Sequence, residues 1–214
     1  MGNEVNEHKI MTMDEEKRNR ILNAAMKEFS KGYKKASTDN MVKEAGISKG
    51  LLYHYFGTKK GVLSFLYDYA IQVIMKEFIA KIDLKETDYF ERLWNMTLDK
   101  LELTYKYPSV FEFITLIYLS EEEEFKVLKA QLLEIQENQW RIDDEKLFAD
   151  IDVSLFKEGI DVQKVMDVVR WTLLGYSEQL LKKYPTVKDY QLQYDEILKE
   201  IRAYMDFFRK NFYT

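Results

Sequence analysis

The chain has 214 residues, of which 46% are hydrophobic and 32% are charged, and its formal net charge is -5. This balance is typical of a folded soluble protein and excludes an intrinsically disordered chain. The absence of cysteine and the presence of only two histidines exclude disulfide bonding, thiolate catalysis and most metal sites.

The scarcity of glycine and proline favours an all-α fold. Only 8 Gly and 2 Pro interrupt the chain, so long helices are favoured over many short strands. No apolar run approaches the roughly 18 residues that a membrane span needs, and the first residues lack the pattern of a signal peptide. We therefore expect a cytoplasmic protein that does not contact membranes.

Positive charge is concentrated near the start of the chain. Residues 14–61 contain eleven Lys or Arg against six Asp or Glu, a net charge of +5, so the remainder carries -10. A basic segment on an acidic protein predicts that this segment meets a polyanion.

The first helix is predicted from a capping-box pattern and a helical stripe. Thr12 and Glu15 have the capping-box spacing, and Gly32 supplies a helix end after about Lys31. The apolar positions of the stripe are Ile21, Leu22, Ala25, Met26 and Phe29.

Two short helices should follow. Either Ser37 or Thr38 can cap the second helix, which Gly46 closes. Ser48 can cap a third helix of two turns over 49–56. A fourth helix, capped by Thr58, keeps helical period to about Ile82.

This order of short helices is that of a helix-turn-helix, whose second short helix enters the DNA major groove. Lysines at 49, 59 and 60 would neutralise phosphates, and Gly50 would allow close approach of the backbone. Tyr53, His54 and Tyr55 would supply polar donors at helical spacing. For Tyr53 the pattern allows either core packing or a hydroxyl contact to phosphate; for His54 it allows a DNA contact or a bystander position.

The segment from Ile21 to Leu63 resembles the N-terminal domain of TetR/AcrR-type transcriptional repressors. The resemblance rests on GYKKAST, AGISKG and LLYHYFGTKK in the order and spacing of that family. It implies a homodimer with a DNA-binding head and a ligand-binding body. The implied DNA contacts are Thr38, Lys49, Gly50, Tyr53, His54, Tyr55 and Lys59, with Ile47, Leu52 and Phe56 in the core. Gly61, where the family commonly has an acidic residue, and His54, where an aromatic residue is commoner, depart from the pattern.

Five further helices are predicted in the body, at about 88–106, 108–119, 121–140, 161–183 and 188–211, with Pro108 and Pro185 among the breaks. Ser120 is the expected cap of the helix that starts with the acidic run at 121. The last two helices are expected to pair with their counterparts in a second subunit, because the first of them is apolar around most of its circumference.

A ligand pocket is expected among the aromatic residues of the body. The candidate lining residues are Trp94, Tyr105, Phe111, Phe113, Tyr118, Trp140, Trp171 and Tyr176. Aromatic rings beside carboxylates suit a lipophilic cation, and an apolar ligand fits them as well.

These patterns predict a tail at 1–13, a helix-turn-helix domain at 14–60 and a ligand-binding and dimerisation domain at 61–214. The predicted function is a repressor, without cofactor or metal, that a lipophilic small molecule releases from a palindromic operator. A helical interaction protein without specific DNA binding is the alternative. An all-α enzyme is disfavoured, because no paired carboxylates, nucleophile or phosphate-binding glycine loop stands out.

Overall fold

The computed structural model describes residues 10–134 and 148–214, and these residues form helices joined by turns. No strand occurs within these two ranges, where Phe156 and Tyr213 make one isolated antiparallel bridge. The predicted all-α fold is confirmed. Within the same ranges, no helix combines the length and the apolar character that crossing a membrane requires.

The helices follow one another with short connections. They are α1 Glu15–Phe29, α2 Thr38–Ala45, α3 Lys49–Phe56, α4 Lys59–Glu77, α5 Tyr89–Lys106, α6 Pro108–Leu119, α7 at 123–134, α8 Val162–Lys183, α9 Val187–Leu192 and α10 Tyr194–Phe212. Short 3-10 turns lie at Ile79–Lys81 and Val153–Leu155.

The chain packs as two compact units that each draw on separate stretches of sequence. Unit 1 consists of the described residues up to Ile79 together with Tyr107–Leu133, and so contains α1 to α4, α6 and nearly all of α7. Unit 2 consists of the described residues of Ala80–Lys106 and Glu134–Thr214, and contains α5 and α8 to α10.

Helix caps in the first part of unit 1 confirm most of the local predictions. The side chains of Ser37, Ser48 and Thr58 accept from the backbone amides three residues ahead, at 3.4, 3.1 and 2.9 Å. Gly46 ends α2 in the left-handed region, with φ of 66°. A side chain there would be strained, which is why glycine ends the helix.

The predicted start of α1 was wrong. Its N-cap is Asp14, whose carboxylate accepts from the Lys17 amide at 3.0 Å, and Thr12 lies outside the helix. Residues 10 and 11 are helical, Ile10 is buried, and the Met13 amide donates to the Ile10 carbonyl, so the chain turns before α1. Helix α1 therefore begins at Glu15, two residues later than a cap at Thr12 predicts.

Three later boundaries also differ from the predictions. Helix α4 ends at Glu77 and not at about residue 82. Helix α7 begins at 123, so its N-cap position is Glu122 and not Ser120, whose hydroxyl accepts from the Glu122 amide before the helix starts. The predicted last helix is two helices, because Gln193 adopts φ of -108° and ψ of 12° and interrupts it.

The buried carboxylate of Glu28 joins α1 to α2. Its side chain is almost fully buried and accepts a hydrogen bond from the amide of Ser37, the N-cap of α2, at 3.1 Å. Lys31 pairs with the same carboxylate from the protein surface. Burial alone raises the pKa of Glu28, but the bonds from Lys31 and Ser37 outweigh it and hold this pKa below its ordinary value of 4.5.

The start of α4 packs directly against the end of α3. Gly61 lies in the first turn of α4, and a Cβ built on it would lie 1.9 Å from the carbonyl oxygen of Phe56. No side chain can occupy that space without moving the backbone of one of the two helices. The departure of residue 61 from the family pattern therefore has a steric cause in this chain.

Unit 2 is organised around a polar connection between α5 and α10. Asp88 precedes α5 and accepts from the Phe90 and Glu91 amides, at 2.9 and 3.1 Å. Arg209 of α10 donates to both oxygens of the same carboxylate, at 3.0 and 3.1 Å. A bidentate pair of this kind fixes the orientation of one helix on the other.

Replacing Glu28 by Gln should destabilise unit 1 in a pH-dependent way. At pH 7 we expect the free energy of unfolding to fall by about 1–2 kcal/mol, because a charge-assisted pairing in a buried site is lost. Since the folded-state pKa is lowered, the stabilisation is present above pH 4.5 and is lost as the pH falls through the folded-state value. Urea unfolding of both proteins between pH 3 and 7 should show the two curves converging in acid.

The matched control for this experiment is Glu44→Gln. Glu44 pairs with Lys27 at 2.6 Å, but both side chains are exposed, so its loss should cost about 0.5 kcal/mol or less. A Glu28→Gln protein that differs from the parent by the same amount at every pH would contradict the role given to the Glu28 charge.

Two glycine substitutions should have opposite effects on stability. Gly61→Ala should lower the free energy of unfolding by about 1–3 kcal/mol, because the added methyl group overlaps the Phe56 carbonyl. Gly50→Ala should leave it unchanged or raise it by up to about 1 kcal/mol, because its Cβ would meet no atom closer than 3.9 Å and alanine favours helix. Thermal unfolding of the two proteins tests this, and equal stabilities would refute the steric account.

Candidate nucleic-acid interface

Helix α3 has one buried and one exposed face. Leu52 and Phe56 are buried at 1% and 6% exposure and attach the helix to unit 1. Lys49, Gly50, Tyr53 and His54 are all exposed. They occupy positions i, i+1, i+4 and i+5, so they share one helical face that is available to an outside partner.

The start of α2 lies beside this exposed face. The hydroxyl groups of Thr38 and Tyr53 are 3.2 Å apart and share a hydrogen bond. Asp39 and Lys49 form an ion pair of 2.7 Å, and the hydrogen bond from Lys49 to Asp39 raises the pKa of the lysine. The first turn of α2 is thus joined to α3 by two side-chain contacts, and the predicted residues Thr38, Lys49 and Tyr53 are brought together.

The sequence allowed Tyr53 either to pack in the core or to present its hydroxyl group at the surface, and the structure shows the second arrangement. Its ring is 36% exposed and its hydroxyl group lies at the surface beside Thr38. Tyr53 is therefore a surface residue with a polar group at its tip, and the core of α3 is formed by its neighbours Leu52 and Phe56.

Two of the predicted contact residues, Tyr55 and Lys59, are only partly exposed and contact other side chains or backbone groups. Tyr55 is half-buried, with its ring 5.4 Å from His54 and 6.4 Å from Phe56 between centroids. The ammonium group of Lys59 donates to the carbonyl of Tyr33 and lies 4.6 Å from the centre of the Tyr33 ring. Lys59 therefore anchors the loop before α2, whereas Lys60 beside it is exposed.

The loop between α1 and α2 has a further contact, which comes from the N-cap position of α7. The carboxylate of Glu122 accepts from the Lys34 amide at 3.1 Å. Gly32 makes room for it, since a Cβ there would lie 2.3 Å from a Glu122 oxygen. The acidic run was predicted only as a helix start, and nothing in its spacing indicated that Glu122 would reach residues 88 positions away.

Asp39 is a second residue that sequence reasoning did not identify. An acid in the first turn of a helix is common because it interacts well with the helix dipole, so Asp39 gave no separate signal. Only the structure shows that its carboxylate is directed to Lys49 of α3.

The aromatic residues predicted to line a pocket lie in both units. Phe111, Phe113 and Tyr118 belong to unit 1, where Phe113 is a fully buried core residue. Trp94, Tyr105, Trp171 and Tyr176 belong to unit 2. Trp140 lies outside the described residues.

Among the predicted pocket residues of unit 2, three have neighbours or exposure that indicate other roles. The ring of Trp94 lies 5.0 Å from the Arg202 guanidinium, and that of Tyr105 packs against Tyr194. Trp171 is 63% exposed.

Tyr176 lines a cavity between α8 and α10. The cavity has a volume of about 470 Å³, within the range of small-molecule sites. Its apolar wall includes Leu180, Tyr184 and Ile197, and lysine and glutamate side chains line the rest. The Tyr176 hydroxyl donates to Glu200 at 2.8 Å, and burial followed by this bond raises the pKa of Tyr176. Among the described residues, no cluster of three metal-ligating side chains accompanies it.

Comparison with known proteins agrees with this architecture. Residues 21–64 match the sequence model for bacterial regulatory proteins of the tetR family. No curated protein sequence matches the chain.

Two solved structures share the fold. One is a TetR family transcriptional regulator from Chloroflexus aurantiacus, with a TM-score of 0.61 and 16% identity over 97% of this chain and 98% of the other. The second is a tetR family transcription regulator from Shewanella sp. PV-4, with a TM-score of 0.56 and 17% identity over 92% and 98% of the two chains. The matched segment contains α2 and α3 with their exposed polar face, so this part of the chain is similar to regulatory proteins of the tetR family, and the chain shares the fold of these two regulators.

Proposed function

We propose that the protein is a homodimeric repressor that binds a palindromic operator through α2 and α3 and is released by a small molecule. The observation that carries this proposal is the exposed face of α3 with the adjoining start of α2. There Thr38, Lys49, Gly50, Tyr53 and His54 have no role in the core of unit 1.

Each residue of this face has a role that suits DNA. The ammonium group of Lys49 neutralises a phosphate, and the hydroxyl groups of Thr38 and Tyr53 donate to phosphate oxygens. His54 lies where a ring nitrogen reaches base edges in the major groove. Gly50 lets the backbone at the start of α3 approach the duplex closely, because nothing within the protein requires glycine at this helical position.

Tyr55 and Lys59 support the interface in a different way. Lys59 holds the Tyr33 carbonyl, and Tyr55 packs between His54 and Phe56. We assign both residues to the edge of the DNA-binding surface, where their first task is to position the recognition helix. Lys60 is the exposed lysine that neutralises phosphate at the start of α4.

The pairing of two subunits is supported by an exposed apolar stripe on α8. Val168, Trp171 and Leu174 are 42%, 63% and 37% exposed and recur every three residues. Phe207 of α10 is 60% exposed. A soluble protein rarely leaves such a set of large side chains in water, so we assign them to an isologous interface built from α8 and α10 of two subunits.

The cavity between α8 and α10 is the proposed effector site. Aromatic and aliphatic side chains form part of its wall, and it also contains Glu196, Glu200 and two lysines. Such a lining suits a molecule with an apolar body and a polar or charged group. The effector alters operator binding only to the extent that it binds one arrangement of the protein more tightly than the other.

The chain offers a covalent route from unit 2 to the DNA-binding elements. Only Tyr107 separates α5 in unit 2 from α6 in unit 1. Within unit 1, α6 packs against α1 and α4, and Glu122 just beyond α6 holds the loop before α2. A displacement of α5 on effector binding would therefore pass to the helices that support α3.

The first test is binding to DNA from immediately upstream of the protein's own gene. Fluorescence anisotropy at several salt concentrations, with unrelated DNA as competitor, should show binding below micromolar concentration that survives the competitor. Binding that is weak and lost equally to both DNAs would contradict a specific regulator at this site and favour an interaction protein.

Lys49→Ala should weaken binding to the operator. On operator DNA the slope of log affinity against log salt concentration should become shallower by about 0.9, the change expected from one lost phosphate contact. At about 0.1 M salt we expect a loss of roughly three- to tenfold in operator affinity. A slope equal to that of the parent protein would contradict the phosphate role of Lys49.

Gly50→Ala should weaken DNA binding without lowering the stability of the protein. The methyl group has space within the protein but would project from the surface that we assign to DNA. We expect roughly tenfold weaker operator binding, equivalent to about 1.4 kcal/mol, in a protein of undiminished stability. Operator affinity that is unchanged would show that the backbone at Gly50 does not approach the duplex.

Trp171→Glu should convert the dimer to a monomer, because a charge would be buried at the centre of the apolar stripe. Analytical ultracentrifugation should show the monomer, and operator binding should fall with the loss of two-site attachment. The control is Leu192→Glu, at an apolar residue that is 70% exposed on α9, outside the proposed interface. A dimer that survives Trp171→Glu would place the subunit contact elsewhere.

A further inference from the structure

Asp39 introduces a negative charge at the edge of the surface that we assign to DNA. It lies in the first turn of α2, and its side chain is 71% exposed. A carboxylate at this position repels phosphate, so it opposes the function of the lysines around it. Within residues 37–60, the other acidic residue is Glu44, which lies on the last turn of α2 and pairs with Lys27 of α1.

The stability of α2 accounts for Asp39 only in part, because an acid in the first turn adds a modest interaction with the helix dipole. The N-cap of this helix is Ser37, which accepts from the Asn40 amide, and Glu28 holds the Ser37 amide. The ion pair between Asp39 and Lys49 is exposed on both sides, and pairs of this kind add little to folding. The ion pair is therefore more important for the position of the Lys49 side chain than for folding.

The pair determines where the Lys49 ammonium group points. Its nitrogen lies 2.7 Å from the Asp39 carboxylate, and Lys49 is the first residue of α3. A phosphate must displace this carboxylate before it can bind Lys49 fully. On unrelated DNA, which is held by phosphates alone, the cost of displacement reduces affinity directly.

We infer that Asp39 is a specificity-determining residue, whose carboxylate competes with phosphate for Lys49 and so weakens binding to unrelated DNA. On the operator, base contacts by the neighbouring residues hold α3 close to the duplex, and the exchange from carboxylate to phosphate is driven by the whole interface. Discrimination depends on the ratio of the two affinities, which a repulsive element can increase without any new attractive contact. This inference rests on the proposed orientation of Lys49 toward DNA.

The test uses four variants and a 20-bp duplex of unrelated sequence, so it does not depend on knowing the operator. The variants are Asp39→Asn, Lys49→Ala, the double variant of the two, and Glu44→Gln as a control with the same charge change on the same helix. Anisotropy between 50 and 200 mM salt gives an affinity and a salt slope for each protein. Thermal unfolding establishes that all are folded.

Asp39→Asn should bind the unrelated duplex about three- to fivefold more tightly, the range expected when a competing exposed ion pair is removed. Its salt slope should be steeper than that of the parent protein, by up to 0.9, because Lys49 now displaces counterions from DNA. In the Lys49→Ala background the same substitution should change affinity by less than about twofold. Glu44→Gln should behave as the parent protein.

Three results would overturn the inference. They are unchanged or weaker binding by Asp39→Asn, an equal gain with and without Lys49, or an equal gain from Glu44→Gln. The last two results would show that DNA affinity depends on the net charge of the protein and not on the ion pair between Asp39 and Lys49. Failure of the underlying assignment is recognised separately, because the double variant would then keep the salt slope of Asp39→Asn, in which no carboxylate competes for Lys49.

Discussion

The short length of α2 and α3 is the constraint on which the candidate interface depends. Helices α2 and α3 each have eight residues, fewer than an isolated helix needs to persist in water. Their conformation therefore comes from their caps and from packing on α1 and α4. Glu28 fixes the capping residue of α2 from within the core, and Gly61 allows α4 to close directly onto the last carbonyl of α3. The polar face of α3 stays exposed because the opposite face, with Leu52 and Phe56, is buried against the rest of unit 1.

The elements near the start of the chain could be predicted well, because their signals are local. A serine or threonine at Ser37, Ser48 and Thr58 can satisfy an amide three residues ahead whatever the remaining fold is, and Gly46 is favoured by its own backbone conformation. The same reasoning failed at Thr12 and Ser120, where a cap-forming residue is followed by a turn and the helix starts later. Capping patterns identify possible starts, and tertiary contacts select among them.

The sequence predicts which residues share the exposed face of α3, but not which neighbours their side chains contact. Lys49, Gly50, Tyr53 and His54 follow from the period of a short helix and the family resemblance. The partners of Lys49 and Lys59 do not, because the Asp39 carboxylate and the Tyr33 carbonyl approach them only through the fold. The pocket was still less accessible to sequence reasoning, since an aromatic residue in a helical stripe has the same pattern in a core, on a cavity wall or at a subunit interface. Phe113 lies in a core, Tyr176 on the wall of a cavity and Trp171 on an exposed surface.

The division of the sequence between the two units has a consequence for biosynthesis. Unit 1 contains α1 to α4 and the later segment Tyr107–Leu133. From that segment, Phe113, Ile117 and Phe125 are fully buried. During translation the first four helices leave the ribosome well before these side chains do, and residues 80–106 of the other unit are made in between. Unit 1 therefore completes its core only after residue 133 has been synthesised, and a nascent chain in which α3 has just left the ribosome contains these residues without the packing that orders them.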